Sequence, residues 1–276
     1  MSLLEVLIQV NNNGYILTAV LHTFGLCLLC KVKNVLPNQR LLLINIAAAE
    51  MFTCWRKVIL DGLIVKQSIN GIWFRLSVFL AVVFVLNIRF IIFHITIDRF
   101  LDIWLHLKYP LYFSSKKLKI GIACQWAISI IFGVITSVLH AKVGYFVWNR
   151  VTFITLLSLD IVIGFTAITT YLYLFNKVRL FNKVRQIAPT NTSNQVVPSR
   201  SKISKSLVPC LMVATYIIFN LTGSILRLCV ITFDRLMWTV GETLDLCGWF
   251  SDVLIYIMLQ RKVLNLIAQH LPCKYL

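Results

Sequence analysis

The sequence predicts an all-α membrane protein, a bundle of seven transmembrane helices followed by a short amphipathic eighth helix. Three observations support this fold class. Apolar residues make up 59% of the 276 residues and charged residues only 13%, whereas soluble domains carry far more charge. Seven apolar runs are each long enough to cross a bilayer, which takes about 20 residues. Lys and Arg are concentrated in alternate connections between these runs.

The seven runs follow one another with short connections. They cover residues 14–32, 41–64, 72–104, 118–140, 150–177, 204–230 and 237–259. Arg56 and Lys57 interrupt the second run, but long basic side chains can reach the membrane interface while their stems stay in hydrocarbon. We therefore divide the chain into a short N-terminus (1–13), a seven-helix membrane domain (14–260) and an amphipathic C-terminal segment (261–276).

The distribution of Lys and Arg predicts the orientation. Seven spans place the termini on opposite sides, and eighteen Lys and Arg residues fall on the side of the C-terminus against eight on the other. The N-terminus is therefore expected outside and the C-terminus in the cytoplasm. The same cytoplasmic excess accounts for much of the net charge of +17, so we expect no nucleic-acid partner.

The longest inner connection, about 178–203, contains the polar stretch PTNTSNQVVPSRS, which is typical of disorder. It follows a tandem repeat, LFNKVRLFNKVR, at residues Leu174 to Arg185. The repeat indicates either a basic amphipathic extension of the fifth helix or a small duplication tolerated in a loop.

Ionisable residues inside apolar spans are functional hypotheses and need partners. Glu50 lies in the second span and Asp252 in the seventh. Arg89 lies in the third span, and its candidate partners are Glu50, Asp160 and Asp245.

Five short motifs then occur in order on the predicted spans. They are NIAAAE (Asn45 to Glu50), DRF (Asp98 to Phe100), HLKYPLYF (His106 to Phe113), a single Trp126 in the fourth span, and SDVLIYIMLQRKV (Ser251 to Val263). Together they make the chain resemble a divergent rhodopsin-like (class A) G protein-coupled receptor, similar to the lineage-expanded receptors of cnidarians and other invertebrates. In NIAAAE, Glu50 replaces the Asp that is usual in the family. In SDVLIYIMLQRKV, Asp252 and Val253 replace the usual Asn and Pro.

The resemblance implies a plasma-membrane receptor that transduces an extracellular ligand, a small molecule or short peptide, to a heterotrimeric G protein. It implies that Asp98 holds Arg99 at rest and that outward movement of the sixth helix releases Arg99. The implied G protein-coupling latch consists of Asp98, Arg99, Phe100 and Tyr256. A sodium- or proton-sensitive pocket is implied between Glu50 and Asp252. The alternative is one structural polar network, without an ion, formed by Asn45, Glu50, Arg89, Asp245 and Asp252.

The chain departs from the family pattern in three places. Phe74 and its neighbours, and the loop HAKVGYFVWNR, lack the two cysteines of the family disulfide. FNLTG (Phe219 to Gly223) lacks the sixth-helix Pro, and the fifth helix also lacks its Pro. Because Pro kinks act as hinges, Gly223 is the remaining candidate for softening the sixth helix. A non-signalling receptor-like protein, acting as a decoy or dimer partner, is the alternative function.

The ligand side yields mainly exclusions. Ala81 stands where amine receptors of the family carry Asp, so an amine ligand held in that way is not expected. Leu246 and its neighbours include no Lys for a retinal Schiff base. The excess of basic residues on the outer side indicates either an anionic ligand or side chains that extend to the interface.

The inner side carries candidate modification sites. No Ser or Thr occurs from Asp252 to Leu276, so arrestin binding that depends on phosphorylation would use the third inner loop. Its hydroxyl residues are Thr190, Thr192, Ser193, Ser199, Ser201 and Ser204. Cys273 is a candidate palmitoylation site, the alternative being a free thiol. The five histidines are scattered, so we expect no enzyme, metal site or cofactor.

Overall fold

The computed structural model describes residues 2–31, 37–61, 72–105, 109, 114–143, 145–187, 211–229 and 235–258, some of them by their backbone only. Every described residue except Ser2 and Ser114 is helical, and none of them lies in a β-strand. The predicted all-α class is thereby confirmed for this part of the chain.

The described residues form seven helices, numbered here in chain order. They are α1 (Leu3–Lys31), α2 (Pro37–Arg56), α3 (Ile72–Leu105), α4 (Ser115–Val143), α5 (Tyr145–Ile187), α6 (residues 211–229) and α7 (Arg235–Met258). A π-helical turn, Lys57–Asp61, continues α2. The helix α6 is π-helical over Tyr216–Leu221 and returns to α-helix over Thr222–Cys229.

Two helices are much longer than the apolar runs that predict them. The helix α1 begins at Leu3 rather than near residue 14. Ser2 and Glu5 cap its start reciprocally, with the Ser2 amide donating to Glu5 at 2.8 Å and the Glu5 amide donating to the Ser2 hydroxyl at 3.3 Å. The polar residue Asn11 within the extension finds partners on α7. Its amide donates to the Thr239 carbonyl at 3.4 Å, and it accepts from the Thr243 hydroxyl at 3.0 Å. The helix α5 continues through the LFNKVR repeat for 43 residues in all. The first ten residues of the predicted third loop are therefore helical. Of the two interpretations of the repeat, this agrees with an extension of the fifth helix.

Four of the described helices are long and apolar enough to cross a membrane, judged by length and composition. The qualifying segments are Leu3–Lys31, Ile72–Asp102, Ser115–Leu139 and Ile154–Tyr173. The apolar stretch of α6, Leu211–Arg227, is shorter. Four such helices in one chain are compatible with a multi-pass membrane protein.

The helices pack in a closed ring. α1 contacts α2 and α7, α7 contacts α6, α6 contacts α5, and α3 contacts α2, α4 and α5. The outer surface carries large apolar side chains such as Val162 and Phe165, each more than 60% exposed. Glu50, Asp160 and Asp252 are buried instead. This distribution is the one that polar residues adopt when hydrocarbon surrounds a helical bundle.

Candidate functional site

The acid–base cluster of the DRF motif lies at the C-terminal end of α3. Arg99 Nε donates to Asp98 Oδ2 at 3.0 Å, and Arg99 Nη2 donates to the same oxygen. Asp98 is 1% exposed and Arg99 5%, so water screens this ion pair poorly. The Asp102 carboxylate lies 3.6 Å from Arg99 Nη1, and its side chain is 47% exposed. A more exposed acid therefore faces the other side of the guanidinium.

Two further residues brace this ion pair from outside α3. With its amide oxygen turned toward the guanidinium, Gln39 of α2 accepts from Arg99 Nη1 at 2.8 Å and from Nη2 at 3.0 Å. The Tyr109 hydroxyl donates to Asp98 Oδ1. Burial and the hydrogen bond to Asp98 raise the pKa of Tyr109, so the phenol remains a donor. We call Gln39, Asp98, Arg99, Asp102 and Tyr109 the α3-end cluster.

The other two predicted members of the latch lie elsewhere. The Phe100 ring does not join the α3-end cluster but stacks on Trp104 at 6.1 Å and tilts against Tyr173 of α5 at 5.9 Å. One residue of helix turns a side chain by about 100°, which carries Phe100 to a different face from Arg99. Tyr256 lies in α7, and its side chain is outside the described ones.

Glu50 and Asp252 meet in the middle of the bundle, as the resemblance implies. Both are almost fully buried, and their carboxyl groups lie close enough for their charges to interact. His22 Nε2 of α1 lies 3.5 Å from Glu50 and 3.0 Å from the Trp249 carbonyl. Thr215 of α6 donates to Asp252. Two adjacent buried carboxylates repel each other, so such a pair is stable when it holds one proton or when a cation lies between the two groups.

Arg89 pairs with Asp160, one of its three candidate partners. Its Nε and Nη2 donate to the two carboxylate oxygens of Asp160 on α5. Tyr216 and Ser224 of α6 also donate to Asp160, at 2.8 Å and 2.7 Å. We call these four residues the three-helix cluster, because it joins α3, α5 and α6. Arg89 Nη1 is buried without a hydrogen-bond partner.

Two more ion pairs join α7 to its neighbours. Arg227 of α6 donates to Asp245, and its guanidinium lies 5.6 Å from the centre of the Trp238 ring. Lys57 donates to Glu242 at 2.7 Å, and both side chains are about a quarter exposed. These pairs were not predicted, although charges embedded in apolar runs are a signal that partners exist.

The five residues of the predicted polar network take part in separate hydrogen-bonded groups. Glu50 and Asp252 lie close together, and Arg89 belongs to the three-helix cluster. Asp245 pairs with Arg227, and Asn45 accepts a hydrogen bond at 2.9 Å from Trp126 of α4. That all five residues act as one network stays a prediction.

Gly223, which the sequence indicates as the candidate for softening α6, lies in close contact with α7. A Cβ at this position would lie 3.1 Å from the Gly241 carbonyl oxygen and 3.3 Å from Asp245 Oδ1. The irregular part of α6 is its π-helical segment, Tyr216–Leu221. Thr215, which donates to Asp252, directly precedes this segment, and Ser224, which donates to Asp160, lies three residues after it. π-Helical turns weaken the regular hydrogen bonding of a helix and often mark functional sites.

The predicted inner-side modification sites and the eighth helix lie outside the described residues. These are Thr190, Thr192, Ser193, Ser199, Ser201, Ser204, Cys273 and the segment 261–276.

Within the described ranges, no three His, Cys, Asp or Glu side chains converge as ligands for a metal ion. Comparison of the chain with models of protein families found no match, and comparison with curated protein sequences found none either.

Proposed function

We propose that the chain is a rhodopsin-like G protein-coupled receptor of the plasma membrane, with its N-terminus outside. It would transduce an extracellular small molecule or short peptide to a heterotrimeric G protein. The five motifs and the seven-helix ring support this proposal. The excess of Lys and Arg on the side of the C-terminus supports the orientation.

In this proposal α2, α6 and α7 also cross the membrane. Each of them carries charged groups inside its apolar stretch, and several of these groups are paired in the interior of the bundle. Glu50, Arg227 and Asp245 are examples, and each faces a polar partner inside the ring. Charged residues are tolerated in spanning helices when they face the bundle interior and are paired.

The single observation that carries the proposal is the α3-end cluster. Arg99 is buried, yet its closest ionic partner is the adjacent residue of the same helix. An ion pair within one helix contributes little to holding helices together. Arg99 is linked to α2 by hydrogen bonds to the neutral amide of Gln39, which a new polar partner can replace. Arg99 is therefore poised for release toward a protein that enters between the helix ends.

The π-helical segment of α6 supports the outward movement that releases Arg99. It replaces the missing Pro as a point where the helix can bend. Ligand binding shifts the resting and active populations only through its different affinity for the two states. A shift from 1:99 to 99:1 requires about 5.5 kcal/mol of such difference.

The paired ions of α7 mark the end of the bundle where a ligand would act. Lys57 with Glu242 and Arg227 with Asp245 lie toward the end opposite the α3-end cluster. The basic residues Lys57 and Arg227 are thus already paired with acids. This pairing weakens the expectation of a purely anionic ligand.

The test needs no ligand. The end of α3 from Asp98 onward, the three inner connections and the segment after α7 are grafted onto a light-activated opsin core, so that the chimera carries Arg99 and Asp102 of this chain. Light-driven activation of a heterotrimeric G protein is then measured. Retinal absorbance reports folding. The matched variants are Arg99→Ala, which should abolish activation, and Asp102→Asn, which should retain most of it.

A folded chimera that does not activate any G protein class would overturn the proposal. It would favour the non-signalling decoy or dimer partner. That alternative has its own support in the missing disulfide cysteines and the missing Pro residues.

Arrestin is proposed as a second inner partner. Alanine at all six hydroxyl residues, Thr190, Thr192, Ser193, Ser199, Ser201 and Ser204, should abolish light-driven arrestin recruitment by the same chimera. Light-driven G protein activation should stay unchanged and serves as the control. Recruitment at the original level would contradict this assignment.

A further inference from the structure

Two cysteines occupy the last turns of α1 and face outward. Cys27 and Cys30 are both exposed free thiols, and α1 ends at Lys31. They continue an exposed apolar stripe that includes Val20 and Phe24, each about half exposed. The spacing of these four residues, three or four positions apart, keeps them on one side of the helix. The thiols therefore face the hydrocarbon that the stripe contacts.

The end of this helix is fixed by contacts from α2. Arg40 Nε donates to the Leu29 carbonyl at 3.0 Å, and Arg40 Nη2 donates to the Cys30 carbonyl. These bonds satisfy carbonyl groups that a helix end leaves unpaired. Cys30 lies about 1.5 Å and Cys27 about 6 Å from Lys31 along the axis. Both thiols are thus held within two turns of a charged boundary.

We propose that Cys27 and Cys30 are S-acylated by long-chain fatty acids. Exposed cysteines next to the membrane boundary are the substrates of reversible acylation. The inference uses the orientation in the proposed function, which places this end of α1 in the cytoplasm, but it does not require signalling. An attached chain would lie along Phe24 and Val20 without displacing any buried side chain.

The reaction is a thioester exchange. The cysteine thiolate attacks the carbonyl carbon of a long-chain acyl-coenzyme A, held by a membrane acyltransferase of the host cell. The new carbon–sulfur bond forms on Cys27 or Cys30 as the bond to the coenzyme A sulfur breaks. Coenzyme A leaves as a thiolate and takes up the proton released by the cysteine, so no group is oxidised or reduced.

Other cysteines of the chain define the controls. Cys54 is buried, so an acyltransferase cannot reach it. Cys247 is exposed but lies eleven residues from the end of α7 at Met258, which is about 16 Å from that end. Cys54 therefore tests whether a buried thiol escapes acylation, and Cys247 tests whether an exposed thiol far from the helix end does.

The experiment counts acyl groups on the full chain expressed in cultured animal cells. The background variant C124S/C210S/C229S/C247S/C273S leaves Cys27, Cys30 and the buried Cys54 as its only cysteines. Free thiols are blocked in denaturant, thioesters are cleaved with hydroxylamine, and the released thiols are coupled to a polymer-maleimide that retards the protein on a gel. We expect two hydroxylamine-dependent steps, and none after C27S/C30S is added.

Three results would overturn the inference. The first is the absence of steps in the background variant, and the second is steps that persist after C27S/C30S is added. The third is that a disulfide reductant releases the thiols whereas hydroxylamine does not, which would indicate a disulfide between Cys27 and Cys30. Restoring Cys247 to the C27S/C30S variant should give no step.

A glycosylation sequence added at the N-terminus separates this inference from the orientation. Glycosylation without acyl steps would reject acylation while the orientation stands. Absence of both would place the end of α1 on the wrong side for acylation and would count against the proposed function as well.

Discussion

Two Arg–Asp pairs on α3, ten residues apart, are built in opposite ways. Arg99 bonds to Asp98 beside it on the same helix, whereas Arg89 bonds to Asp160 on α5 and shares that acid with α6. The ion pair of Arg99 lies within one helix, and hydrogen bonds to the neutral amide of Gln39 connect it to α2. The ion pair of Arg89 joins two helices, and its hydrogen bonds include a third. Both Arg side chains are buried, so burial alone does not separate the proposed latch from the pair that joins the helices. The position of the ionic partner in the sequence does separate them.

The three-helix cluster should be the most costly to break. Asp160→Asn leaves the buried Arg89 without a compensating charge, and removal of one partner from a buried pair costs about 3–5 kcal/mol. We expect a large loss of folded protein at the cell surface and a lower melting temperature in detergent. The double variant Arg89→Met with Asp160→Leu should recover much of the loss, because apolar side chains of similar volume replace the whole pair. No recovery would mean that the hydrogen bonds of Tyr216 and Ser224 dominate.

The α3-end pair should respond in signalling rather than in stability. Asp98→Asn removes the charge that holds Arg99 at rest, and a hydrogen bond to a charged group is worth about 1.5–3 kcal/mol. Basal G protein activation should rise roughly tenfold or more, since about 1.4 kcal/mol is a factor of ten, while surface expression changes little. Asp102→Asn is the matched control on the exposed acid. Equal basal activity in Asp98→Asn and wild type would show that the pair is not a latch.

Tyr109 should have a smaller effect in the same direction. Tyr109→Phe removes one hydrogen bond to Asp98, but Arg99 still bonds to that carboxylate. Because Tyr109 is only partly buried, water can replace part of the lost bond, and we expect about 1 kcal/mol and a few-fold rise in basal activation. A rise as large as that of Asp98→Asn would instead make Tyr109 the principal restraint.

The pair between Lys57 and Glu242 should change stability least. Both side chains are about a quarter exposed, and partly exposed ion pairs contribute about 0–1 kcal/mol. Glu242→Gln should therefore shift the melting temperature only slightly, and the shift should shrink at high salt because ions screen exposed charges. A loss comparable to that of Asp160→Asn would show that Glu242 supports more than Lys57.

Much of the helix framework could be predicted from the sequence, since long apolar runs leave few alternatives. The partners that a side chain finds on other helices of the bundle were harder to predict. Asp160 was one of three candidates for Arg89, because the sequence gives the depth of a residue but not the rotation of its helix. Phe100 shows the same limit, as one residue of displacement turns it toward α5 instead of Gln39. The partners of Asn11 in the extension of α1 could not be predicted either, because Thr239 and Thr243 lie more than 200 residues away in sequence.

The length of α5 determines how far its C-terminal end lies from the apolar segment and in which direction the side chains at that end face. At 1.5 Å per residue, its 43 residues extend about 65 Å, roughly twice the thickness of a hydrocarbon core. The fourteen residues after Tyr173 therefore form a rod about 21 Å long beyond the apolar segment. Deleting one six-residue copy of LFNKVR would draw the tip in by about 9 Å and turn it by about a third of a revolution. The repeat thus works as a spacer whose copy number fixes both reach and facing direction.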